Sequence, residues 1–164
     1  MSRTLVLGGS RSGKSAFAES LLADAPAVTY LATAATDPDD AEWTARIAAH
    51  RARRPPLWST LETTDLAAVL RDAGEPVLID SITLWVSAVL DEPDLGRRAD
   101  ELVAAWTATT RRVVAVSDEV GSGVVPSTVA GRQFRDALGR LNQRLAAAAD
   151  DVQLVVAGLP LRLK

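Results

Sequence analysis

The chain has 164 residues, 48% of them hydrophobic and 24% charged, which suits one α/β domain with a continuous core and excludes disordered and fibrous classes. A formal net charge of -3 argues against a broad nucleic-acid-binding face, which needs an excess of Lys and Arg to neutralise phosphates, and leaves room for local basic clusters. Cysteine is absent, so disulfide frameworks, thiolate zinc sites and cysteine nucleophiles fall away together.

The first apolar run, Thr4 to Leu7, starts too close to Met1 to leave space for a signal peptide. No apolar stretch approaches the roughly 20 residues that cross a bilayer. The expectation is a cytoplasmic protein with a single nucleotide-binding domain over residues 1–164 and no membrane span.

Thr4 to Leu7 reads as a buried strand that stops at Gly8. A helix is expected over Ser15 to Ala23, a strand over Val28 to Ala32, and an amphipathic helix over Asp37 to Arg54. Pro55 and Pro56 end that helix, because neither donates a backbone hydrogen bond and a proline biases its predecessor out of the helical region. Trp58 to Leu61 reads as a short strand, Asp65 to Arg71 as a helix, Pro76 to Asp80 as a strand and Ile82 to Leu90 as a helix. Leu95 to Arg112 is expected to be helical, followed by a buried strand over Val113 to Ser117. Phe134, Leu138, Leu141 and Leu145 form a stripe at helical period within Val129 to Ala149. Val152 to Ala157 is a further strand, and Leu161 to Leu163 an edge strand. Strands alternating with helices imply a mostly parallel sheet flanked by helices, with ligands at the carboxyl ends of the strands.

Gly8, Gly9, Ser10, Arg11, Ser12, Gly13, Lys14 and Ser15 satisfy G-x-x-x-x-G-K-[ST] between a predicted strand and a predicted helix, the context that a phosphate-binding P-loop requires. The glycines let successive backbone N–H groups curl around phosphate oxygens, Lys14 reaches the β and γ phosphates, and the Ser15 hydroxyl enters a Mg2+ shell. The substrates expected are ATP or GTP. A second acid on the magnesium side is available in Asp80, at the end of an apolar strand; a turn or cap role is the plainer alternative. Asp118 and Glu119 form another acidic pair at the same edge, read either as site residues or as caps. The guanine-reading sequence Asn-Lys-x-Asp is absent, so the preferred base is not legible from motifs.

His50 is the only histidine, which excludes a two-imidazole site. Arg46, Arg51, Arg53 and Arg54 surround it in sequence. Such a cluster suits a polyphosphate held by guanidinium groups while a neutral imidazole attacks phosphorus. The competing reading is a solvated basic helix end whose cations complement the dipole before Pro55.

Taken together, the P-loop, Tyr30-Leu31-Ala32-Thr33-Ala34, the run Arg46-Ile47 with His50-Arg51, Arg54-Pro55 and Trp58, Asp80-Ser81-Ile82-Thr83-Leu84-Trp85, Glu119-Val120-Gly121 with Gly123 and Val125-Pro126, and Phe134-Arg135-Asp136 with Gly139 and Asn142-Gln143 resemble one family. It is the bifunctional adenosylcobinamide kinase/adenosylcobinamide-phosphate guanylyltransferase family of cobalamin biosynthesis. The resemblance covers almost the whole chain. It implies a RecA-like P-loop NTPase fold, a homotrimer, and two transfers. One phosphorylates the aminopropanol hydroxyl of adenosylcobinamide. The other guanylylates His50 with GTP and passes GMP to adenosylcobinamide phosphate, giving adenosyl-GDP-cobinamide. The resemblance also implies nucleotide contacts at Thr33, Ala34 and Ala35, at Arg51, Ala52, Arg53 and Arg54, and at Glu62 and Asp80. His50 and Lys14 are the implied catalytic residues. Ala48 and Ala49 depart from relatives with a polar residue or second His there, and the loop Asp91 to Arg98 is short. Trp85, Val86 and Val89 are expected either in an ordinary core or between subunits. The alternatives are a P-loop kinase of another small metabolite without guanylyl transfer, with His50 a bystander, and a non-catalytic nucleotide switch.

Overall fold

The computed structural model describes residues 2–33, 48 and 54–164. The predicted helix Asp37 to Arg54 therefore lies outside the described residues, apart from Ala48 and Arg54. The elements run β1 (Arg3–Gly8), α1 (Lys14–Ser20), β2 (Val28–Ala32), β3 (Trp58–Glu62), α2 (Leu66–Arg71), β4 (Val77–Asp80), α3 (Ile82–Val89), α4 (Leu95–Ala108), β5 (Val113–Asp118), α5 (Val129–Ala148), β6 (Asp151–Val156) and β7 (Leu159–Arg162).

Among the described residues, seven strands form one sheet in the order β3-β2-β4-β5-β1-β6-β7. Every pairing is parallel except the terminal hairpin of β6 with β7. Register follows from the two-residue period of a strand, which sends alternate side chains to opposite faces. Leu5, Ile79, Val113 and Ala115 face one layer with Trp85, Trp106 and Leu138. Val6, Leu78, Val114 and Val116 face the other, with Ala18 and Leu22 beside α1. Burial on both faces explains the continuous apolar runs of the central strands. Each fully buried Leu, Ile or Val contributes about 1.5–3 kcal/mol.

The predicted stripe on α5 buries Leu138, Leu141 and Leu145, with Phe134 partly buried at its start. Trp85, Val86 and Val89 belong to the core of the chain itself, all at most 1% exposed; they are not a surface between subunits. Trp85 also donates its indole N–H to the Thr64 carbonyl at 2.8 Å.

Among the boundaries that differ from the sequence reading, the first helix stops at Ser20 and not Ala23, and two others have a clear physical cause. The helix expected to reach Arg112 ends at Ala108, with Thr109 out of helical conformation at φ -59° and ψ 138°. The cause is Arg111, which turns inward and donates to the carbonyls of Glu75 at 2.6 Å and Val69 at 3.1 Å. The last strand starts earlier than expected, because Ala157 and Gly158, both at positive φ, make the two-residue turn of a β6–β7 hairpin. Pro160 is accommodated in β7 because an edge strand can leave one side of its backbone unpaired.

Candidate active site

The carboxyl ends of β1, β2, β4 and β5 bring Gly8, Ala32, Asp80 and Asp118 to one edge of the sheet. β5 lies between β4 and β1, and Gly8 stands directly opposite Asp118 in the register.

The loop after β1 is built by backbone that only small residues permit. Gly13 has φ +92°, and a Cβ there would stand 3.2 Å from Gly158 Cα. A Cβ at Gly8 would meet Ser12 Oγ at 2.5 Å and the Val155 carbonyl at 2.7 Å. The hairpin turn buttresses the loop, since Gly158 N–H donates to Ser12 O at 2.8 Å. Gly9, Ser10, Arg11 and Gly13 form the exposed rim, and Ser12 and Lys14 are buried.

Lys14 Nζ donates to Gly9 O at 3.0 Å and pairs with Asp118 Oδ1 at 2.5 Å. Ser15 Oγ is 3.5 Å from Asp80 Oδ1, and the Tyr30 hydroxyl donates to Asp80 Oδ2 at 2.7 Å. Burial first, then the neighbouring Asp80 charge, raises the pKa of that hydroxyl, which keeps Tyr30 a donor. Arg54 lies over the Tyr30 ring at 3.2 Å from its centroid and donates to Thr60 Oγ1 at 3.1 Å. The end of the arginine-rich segment thus meets the middle of β2. Thr33 is buried, donating its hydroxyl to Ser81 O at 2.7 Å and accepting from Ser81 N–H at 3.0 Å. Glu62 closes β3 opposite Ala32.

The acidic pair at the end of β5 divides. Asp118 points at Lys14, whereas Glu119 accepts from the N–H groups of Gly121 at 2.7 Å and Ser122 at 3.3 Å. Glu119 is a turn cap. Burial pushes its carboxyl up, but a hydrogen bond from the Ser122 side chain, with those from the two N–H groups, outweighs it and holds the carboxyl below the usual range. His50, Arg46, Arg51, Ala52, Arg53, Ala34 and Ala35 lie outside the described residues. Sequence reasoning missed Tyr30 and Asn142 as supports of this edge. A tyrosine inside a buried strand, whose hydroxyl needs a partner, is the signal that marks Tyr30 as a polar support.

Fold and loop define a P-loop NTPase with a RecA-like sheet. Solved structures with the same architecture include an ATPase from a bacterial type III secretion system, with a TM-score of 0.51 and 14% identity over 98% of this chain and 56% of that one. A KaiC-like protein from Pyrococcus horikoshii gives a TM-score of 0.50 and 11% identity over 93% of this chain and 70% of that one.

The family described as cobinamide kinase / cobinamide phosphate guanyltransferase, CobU, matches residues 4–163. The bifunctional adenosylcobalamin biosynthesis protein CobP of Pseudomonas aeruginosa is 44% identical, covering 99% of this chain and 97% of the relative. CobU of Salmonella typhimurium is 40% identical, covering 98% of each. The chain belongs to this family of transferases.

Proposed function

We propose that the chain phosphorylates adenosylcobinamide with ATP or GTP, then transfers GMP from GTP to adenosylcobinamide phosphate through a guanylylated His50. One observation carries the reading. A phosphate loop brings Lys14 to Asp118 and Ser15 to Asp80 at a single sheet edge, in a chain that matches the kinase/guanyltransferase family over residues 4–163.

In the first transfer the substrate hydroxyl oxygen attacks the γ-phosphorus, the bond to the β–γ bridging oxygen breaks and the hydroxyl proton is released. In the second, an imidazole nitrogen of His50 attacks the α-phosphorus of GTP and pyrophosphate leaves. A phosphate oxygen of adenosylcobinamide phosphate then attacks that phosphorus, and the P–N bond breaks to give adenosyl-GDP-cobinamide. Gly8, Gly9, Ser10, Arg11, Ser12, Gly13, Lys14 and Ser15 hold the phosphates. Thr33, Ala34, Ala35, Arg51, Ala52, Arg53, Arg54, Glu62 and Asp80 complete the nucleotide contacts. Ser15 Oγ and Asp80 Oδ1 are hard oxygen donors 3.5 Å apart, a set that fits Mg2+ shared with substrate phosphates. These two residues would hold the ion, which neutralises charge on the phosphate being transferred. A homotrimer working in the cytoplasm completes the proposal.

Incubation with α-labelled GTP, followed by denaturation and acid, tests the transferase. An acid-labile GMP adduct that is lost in His50→Ala is expected. A wild-type chain that forms no adduct but still phosphorylates a small metabolite makes the chain a kinase alone.

A further inference from the structure

Asp118 ends the strand wedged between the Asp80 edge and the phosphate loop. Its Oδ1 is 2.5 Å from Lys14 Nζ, while the same ammonium donates to Gly9 O at 3.0 Å. Lys14 is therefore folded back on its own loop with its charge neutralised. Two helices fix the backbone that carries this carboxylate. Asp118 N–H donates to Thr83 Oγ1 of α3 at 2.7 Å, and Asp118 O accepts from Asn142 Nδ2 of α5 at 3.1 Å. Asn142 is itself held, because its Oδ1 accepts from the Ser117 hydroxyl at 2.7 Å.

A triphosphate would bring several negative charges to the lysine that this carboxylate now occupies. Unit charges 4 Å apart interact by about 4 kcal/mol at an effective dielectric of 20, so the incoming phosphates and Asp118 compete for one ammonium. The side chains of Lys14 and Asp118 keep 10% and 30% of their exposure. The contacting Oδ1 is itself buried, and it is the rest of the Asp118 carboxylate that solvent reaches, which lowers the cost of parting the pair.

We infer that Asp118 is a positioning residue that holds Lys14 retracted in the nucleotide-free protein and gives it up when nucleotide phosphates enter. The inference rests on reading Gly8 to Ser15 as a phosphate cradle. It makes Asp118 a residue that weakens nucleotide affinity, and so favours release of the nucleotide product.

Calorimetric titration of GTP in EDTA, on the full chain, tests it. Asp118→Asn and Asp118→Ala each remove the competing charge and are expected to tighten GTP binding about tenfold. Unchanged or weaker binding in both overturns the inference. In a Lys14→Ala background the gain from Asp118→Asn is expected to shrink to about threefold or less, since the ammonium under competition is gone. An undiminished gain there also overturns it, by making Asp118 a bare source of repulsion. Lys14→Ala that binds GTP as tightly as wild type instead sinks the cradle reading itself. Should substitutions at 118 prevent folding, a crystal structure of the wild-type chain with GTP decides. Lys14 Nζ is expected more than about 4 Å from Asp118 Oδ1, and a retained 2.5 Å contact overturns the inference.

Discussion

The Tyr30 hydroxyl donates to Asp80 Oδ2 at 2.7 Å, and this fixes the carboxylate whose other oxygen lies 3.5 Å from Ser15 Oγ. Tyr30 is 4% exposed, so its removal leaves a partly buried acid short of a donor. Tyr30→Phe is expected to lower stability by about 1.5–3 kcal/mol, the range for a hydrogen bond to a charged group. It is also expected to raise the magnesium requirement roughly tenfold, as loss of an outer-shell partner does. Urea denaturation and a magnesium titration of nucleotide binding measure the two effects. A stability loss with an unchanged magnesium requirement would confine Tyr30 to packing.

Gly13 and Gly158 approach so closely that the loop and the β6–β7 turn depend on each other. Gly13→Ala puts a Cβ 3.2 Å from Gly158 Cα at φ +92°, a conformation that costs about 1–3 kcal/mol for a residue with a side chain. At Gly9 a Cβ meets nothing within 4 Å. Thermal unfolding is expected to show a clear drop for Gly13→Ala and little change for Gly9→Ala. Equal drops would mean that the steric argument is wrong.

What was legible in the sequence was whatever depends on neighbours along the chain. The apolar runs at Thr4 to Leu7 and Val113 to Ser117, the glycine spacing of the loop and the Leu stripe of α5 all declare themselves locally, because burial on a strand or helix sets a period. The pairing of Lys14 with Asp118 depends on β5 being inserted beside β1, and strand order has no local signature. For the same reason Tyr30 could not be linked to Asp80 before β2 and β4 were known to be neighbours. The end of α4 was misread because Thr109-Thr110-Arg111-Arg112 contains no glycine or proline. There the chain leaves the helix to satisfy distant carbonyls through Arg111, a tertiary demand that overrides local propensity.

Arg111 is 8% exposed and fastens two elements and a loop, reaching Val69 O in α2, Thr29 Oγ1 in β2 at 3.5 Å, and Glu75 O before β4. Burial lowers its pKa, against the nearby charges of Glu75 and Asp72. Arg111→Ala is expected to cost about 3 kcal/mol, since two carbonyls and the Thr29 hydroxyl lose one largely buried charged donor at once. Arg97 makes two charged contacts, pairing with Asp94 and with Glu101, but its side chain is 61% exposed. Arg97→Ala is expected to cost less than about 1 kcal/mol. Chemical denaturation compares the two, and similar losses would show that burial is not what gives Arg111 its weight.

Arg3 grips Asp150 with Nε on Oδ2 at 3.0 Å and Nη2 on Oδ1 at 2.9 Å, and adds its backbone N–H to Oδ2 at 2.8 Å. These hydrogen bonds, the guanidinium first and the backbone second, hold the carboxyl down at about 2 from its ordinary 3.8. A carboxyl with a depressed pKa in the folded state binds its proton more readily once unfolded, so acid favours unfolding. The stability it contributes is present above 3.8 and is lost as the pH falls through about 2. Asp150→Asn is therefore expected to unfold more easily than wild type near neutral pH, with the gap closing across that acid window and not in the range where histidine titrates. Urea denaturation at stepped pH follows it. A gap that stays constant down to pH 2 would show that Asp150 acts through packing or hydrogen-bond geometry and not through its charge.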